Sequence, residues 1–118
     1  MKNAPFLARL GFALHGLRAV FARERSFRTQ CAFALGAAVA VAVLRPGLVW
    51  AGLVALAVAL VLALELVNSA LEYLIDQVHP DLAPQIKLAK DVAAGAVLVA
   101  SAGAVVVGAL MLASLSML

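Results

Sequence analysis

The chain has 118 residues, of which 66% are hydrophobic and only 13% charged, with a net charge of +3 and a mean hydropathy of +1.11. Soluble domains run at about 45–50% apolar and about 25% charged, so this composition excludes a small soluble monomer and a disordered chain alike. One Cys and two His exclude an intrachain disulfide framework and a Cys/His zinc centre.

Residues 1–28 hold six of the nine Lys/Arg: Lys2, Arg9, Arg18, Arg23, Arg25 and Arg28. Phe6, Leu7, Leu10, Leu14, Leu17, Val20 and Phe21 recur among them at helical spacing. This pattern predicts an amphipathic helix over about 5–25, lying in the membrane interface. The basic bias reads as topology and anionic-lipid contact, and no stacking aromatics accompany it to suggest nucleic acid. Three uncharged stretches follow, at 29–44, 46–64 and 92–118. A spanning helix needs about 20 residues. The first stretch, with 16, is short, but Arg28 and Arg45 can snorkel from its ends. The second extends past Glu65, because Leu66, Val67, Ala70, Leu71, Leu74 and Ile75 stay apolar. The expected spans are therefore about 29–44, 47–75 and 90–117, in a single domain covering 1–118. Arg45-Pro46-Gly47 is the expected turn between the first two, and a loop containing His79-Pro80-Asp81 and Pro84 the connection to the third. Gly103 and Gly108 suit close helix packing in the third span.

Positive charge then sets topology. The N-terminal segment and the second loop, with Lys87 and Lys90, carry eight basic residues against Arg45 alone on the other side. The expected orientation is a cytoplasmic N-terminus in a multi-pass membrane protein, with the C-terminus outside.

Chemistry concentrates at the end of the second span. Glu65, Asn68, Glu72 and Asp76 are spaced 3, 4 and 4 apart and share one helical face. Acids running out of an apolar span are costly and ordinarily face a bundle interior or water. Such a stripe can hold a hard divalent cation and accept a proton. It also fits an interhelical polar clamp, to which Asn68 is suited. Lys87-Leu88-Ala89-Lys90-Asp91 forms a second cluster, where Lys is a partner for phosphate oxygens. In Arg23-Glu24-Arg25-Ser26-Phe27-Arg28, Glu24 is the one acid, placed either to pair with the Arg residues or to bind metal. No Walker A loop, Gly-rich dinucleotide loop or hydrolase elbow is present.

Gly16-Leu17-Arg18-Ala19, Glu24-Arg25-Ser26-Phe27-Arg28, Glu65-Leu66-Val67-Asn68-Ser69-Ala70-Leu71-Glu72 and Ala89-Lys90-Asp91 together resemble the small prokaryotic integral-membrane lipid kinases, diacylglycerol kinase and undecaprenol kinase, over nearly the whole chain. The resemblance implies an all-α membrane protein, with three transmembrane helices and an N-terminal surface helix, assembled as a homotrimer. It implies transfer of the γ-phosphate of ATP, with Mg²⁺, to a lipid hydroxyl at the cytoplasmic interface. Glu65 matches the general base and Asn68 its support. Glu24 and Glu72 match metal-binding carboxylates at the nucleotide site. Lys90 and Asp91 match nucleotide contacts, and Asp81 falls in the adenine-end region. Arg18, Phe27 and Arg28, with Glu65, match the lipid site. The chain departs from the family at Asp81-Leu82-Ala83, where diacylglycerol kinases often carry Glu-Tyr-His, and at His15, commonly Lys. Diacylglycerol is the expected acceptor, with undecaprenol the alternative within the family. A pore-forming or structural oligomer is the alternative class, its acidic stripe then a cation path.

Overall fold

A computed structural model describes residues 2–78, 81 and 83–117; His79, Pro80 and Leu82 of the expected second loop lie outside them. Four helices follow one another: α1 (Phe6–Arg23), α2 (Arg25–Leu44), α3 (Leu48–Val78) and α4 (Pro84–Ser116). The last three are long and apolar enough to cross a membrane. The chain is an all-α membrane protein.

The helices run past the expected spans at their polar ends: α2 starts at Arg25 against a span from about 29, α3 ends at Val78 against about 75, and α4 starts at Pro84 against about 90. Charge limits how much of a helix can sit in lipid, but Arg and Lys are themselves good helix formers, so the helices continue through their polar ends. Pro84 opens α4 because a first-turn residue has no intrahelical use for its N–H.

A single extended residue, Glu24, separates α1 from α2 (φ −108°, ψ 108°). Its N–H closes α1 on the Val20 carbonyl at 2.8 Å, and its carbonyl accepts the Arg28 N–H at 3.2 Å to open α2. The Arg28 guanidinium donates from Nη1 to the Phe21 and Ala22 carbonyls at 2.7 and 3.1 Å. These are the orphan acceptors at the end of α1, so Arg28 clamps the elbow. At the other end of α2, Arg45 ends the helix in a left-handed conformation (φ 50°), its N–H bonded to the Val41 carbonyl at 3.0 Å. Gly47 (φ 105°) completes the reversal.

Helix α3 is the hub. It packs along α4 most extensively, then against α2 and α1. Little is buried within one chain. Among the described residues the buried apolar side chains are Val20, Phe27, Val61, Ala100 and Met111, and the buried polar ones are Glu65 and Ser69. A groove of about 450 Å³ lies between α2, α3 and α4, lined by Phe33, Ala37, Val58, Val61, Ala104 and Gly108 among others. The expectation that Gly103 and Gly108 allow close packing does not hold within the chain: a Cβ at either would meet nothing within 4 Å. Gly108 instead borders the open groove.

Candidate active site

Antiparallel geometry fixes which residues can meet. From Ser26 to Leu44, α2 climbs about 27 Å, and from Leu48 to Glu65, α3 returns by about 26 Å. Ser26 and Glu65 therefore sit at one level, near the full depth of a roughly 30 Å hydrocarbon layer from the Arg45-Pro46-Gly47 turn. The Ser26 hydroxyl donates to Glu65 Oε1 at 2.9 Å, and Glu65 is only 5% exposed. A buried carboxylate without a partner would cost several kcal/mol, so this contact is part of what lets the acid sit there.

Glu24 meets α3 further along. Ser, Thr, Asp and Asn cap a helix N-terminus by turning a side-chain oxygen onto the helix's own N–H groups. Glu24 makes no such cap bond; its Oε1 accepts the Tyr73 hydroxyl at 2.7 Å. The Arg23 guanidinium stands over the Tyr73 ring, 5.6 Å from its centroid. The elbow is thus laid along α3 from Glu65 to Tyr73, about 12 Å of helix. Each side supplies one hydroxyl and one carboxylate: Ser26 to Glu65, and Tyr73 to Glu24.

Between these anchors lie the remaining members of the stripe. Asn68 is half-buried, and its Oδ1 is a buried acceptor with no partner among the described residues. Such an atom needs explanation in a folded protein, and an active site is one of the usual ones. Glu72 is half-buried and next to Tyr73 in α3, the residue that holds the Glu24 carboxylate. Asp76, one turn beyond, is exposed and accepts from Lys90 Nζ at 2.6 Å. This pairing brings α4 to the acidic stripe. An exposed ion pair is worth about 0–1 kcal/mol, so Lys90 is held to Asp76 only weakly. Asp91 is paired with Lys87 at 2.6 Å, both well exposed. Asp81 lies between α3 and α4, its carbonyl accepting the Ala83 N–H at 3.0 Å.

The expected lipid contacts divide. Arg18 is exposed on α1, Phe27 is 5% exposed in the packing under the elbow, and Arg28 is committed to the α1 carbonyls. Ser26 and Tyr73 are site residues that pattern-reading passes over, since a hydroxyl in a helix carries no spacing signal of its own.

The donor set also bears on a metal. Among the described residues no three His, Cys, Asp or Glu cluster to hold one alone. Mg²⁺ ordinarily binds through one or two carboxylates together with substrate phosphates and water, a donor chemistry that Glu24 and Glu72 fit.

Against known proteins, the model of the prokaryotic diacylglycerol kinase family matches residues 11–112. A curated diacylglycerol kinase from Synechocystis sp. is 38% identical over 105 residues, which covers 86% of this chain and 58% of the relative. The chain therefore spans less than two thirds of that relative's length.

Proposed function

Because the chain belongs to the prokaryotic diacylglycerol kinase family, we propose that it is a lipid kinase transferring the γ-phosphate of MgATP to the hydroxyl of diacylglycerol, giving phosphatidic acid. The observation that carries the reading is the buried Glu65 carboxylate, set at interface depth on a stripe with Asn68, Glu72 and Asp76 and faced by Lys90 of α4. A lipid hydroxyl sits at the headgroup level, where α3 leaves the hydrocarbon.

In this mechanism Glu65 takes the proton of the lipid hydroxyl as that oxygen attacks the γ-phosphorus. The bond from the γ-phosphorus to the β–γ bridging oxygen breaks, and ADP leaves. Asn68 supports the base after it has taken the proton: its carboxamide Oδ1, which has no partner among the described residues, can accept from the protonated Glu65 carboxyl. Glu24 and Glu72 would hold Mg²⁺, which would supply neutralising charge to the phosphates. Lys90 moves from Asp76 to the phosphate oxygens, with Asp91 and Asp81 toward the rest of the nucleotide. Arg18 contacts the lipid headgroup, while Phe27 and Arg28 shape the lipid site through the elbow that they hold.

The assembly proposed is a homotrimer in the cytoplasmic (inner) membrane, N-terminus inside. Helix α1 then lies in the interface, a placement supported by its exposed Phe6, Leu7, Leu10, Leu14 and Phe21. The meagre burial within one chain supports assembly from several copies.

The test is phosphate transfer from labelled MgATP by purified protein in mixed micelles, with diacylglycerol and undecaprenol side by side. Glu65→Gln should lower turnover by about 10²- to 10⁴-fold while the helical circular dichroism stays unchanged. Transfer to undecaprenol alone overturns the acceptor and keeps the chemistry. Ion conductance without ATP, and no transfer, overturns the kinase in favour of the pore.

A further inference from the structure

Ser26 lies outside the acid stripe, yet its hydroxyl makes the one hydrogen bond between side chains of α2 and α3 among the described residues. A hydroxyl in a helix commonly turns back to the carbonyl four residues earlier. Thr29 does so, donating to the Arg25 carbonyl at 3.1 Å. For Ser26 that carbonyl belongs to Ala22, which lies in α1 on the far side of the extended Glu24 and so outside the helix that carries Ser26. The elbow thus removes the local helical partner and leaves the Ser26 hydroxyl for Glu65. Of the two Glu65 oxygens, Oε1 is held and Oε2 has no hydrogen-bond partner among the described residues.

We propose that Ser26 is a positioning residue for Glu65, holding Oε1 so that Oε2 is the atom presented to the acceptor hydroxyl. The inference rests on Glu65 as the base. A carboxylate turns easily about its terminal torsion, where the energy wells are broad. A fixed donor on one oxygen removes that freedom, and small misplacements of a reacting group cost large factors in rate. The same bond links the base to the α1–α2 elbow, two residues from Glu24, so the base is set only when the elbow is docked on α3.

The experiment compares Ser26→Ala and Ser26→Thr in the full-length protein. Ser26→Ala should lower kcat by roughly 10- to 100-fold, the range for losing a hydrogen bond to a charged group, with KM for ATP and lipid within about twofold of wild type. Ser26→Thr, which keeps the hydroxyl, should restore most of kcat. A purely structural Ser26 would instead move KM and kcat together, or leave Thr no better than Ala, and either result overturns the inference. Infrared difference spectra provide a readout independent of turnover. The wild type minus Glu65→Gln spectrum isolates the Glu65 carboxyl band, which Ser26→Ala should shift and Ser26→Thr should leave in place. An unmoved band in Ser26→Ala removes the contact even if the wild type phosphorylates neither lipid. A shifted band with an inactive wild type would keep the contact, overturn the base, and with it the positioning role.

Discussion

The two ends of the α2–α3 pair are held by different means. At the end carrying Ser26 and Glu65, buried and half-buried polar groups join α2, α3 and the elbow through hydroxyl–carboxylate bonds, and α4 adds the Lys90–Asp76 pair. Further toward the Arg45-Pro46-Gly47 turn, from about one helical turn beyond Ser26 and Glu65, the same helices line a mostly apolar groove that includes Phe33, Ala37, Val58 and Gly108. Apolar side chains gain little from leaving lipid for one another, so the groove end has no strong reason to close within one chain. Polar groups at the other end do, because their alternative is an unsatisfied carboxylate. Position in this molecule is fixed where the chemistry is, and left adaptable elsewhere.

Substitutions should separate the two ends. Lys90→Ala is expected to raise the KM for ATP by about 10- to 100-fold, as the loss of a charge-assisted contact with the phosphates. Initial rates against ATP concentration would show it, and an unchanged KM would detach α4 from the site. Tyr73→Phe removes the donor to Glu24 and should raise the Mg²⁺ concentration for half-maximal rate by roughly tenfold, with the rate recovering at saturating Mg²⁺. A Mg²⁺ titration of that variant decides it; a loss that Mg²⁺ does not rescue would make Tyr73 a scaffold only. The smallest effect is expected in the groove. Ala37→Val and Ala104→Val add methyl groups facing open space, and turnover should stay within about twofold. A loss there as large as that of Tyr73→Phe would erase the distinction between the ends.

Much of this arrangement was legible before any coordinates. The spans follow from long uncharged runs, and the stripe from the 3-4-4 spacing of Glu65, Asn68, Glu72 and Asp76, because helical phase is a local property of sequence. A break between the surface helix and the first span is expected near 25–29, but its one-residue form at Glu24 was not legible. No Gly or Pro marks residue 24, and apolar periodicity runs up to it from α1. Its position depends on Arg28 reaching back to two carbonyls and Tyr73 reaching across to Glu24. The Ser26–Glu65 and Tyr73–Glu24 pairs join residues 39 and 49 apart in sequence, and separations of that size are set by the turn at Arg45 and by packing, not by any local pattern.

The chain contains one Trp and one Tyr. Trp50 is in the first turn of α3, beside the reversal, and Tyr73 is at the site, about 35 Å further along the same helix. Each end of the molecule thus carries its own chromophore, with no label added. Ultraviolet absorbance of the phenol reports whether its hydroxyl is still engaged by Glu24, while indole emission reports the surroundings of the opposite end, so ligand-driven changes at one face can be told from rearrangement at the other in a single cuvette.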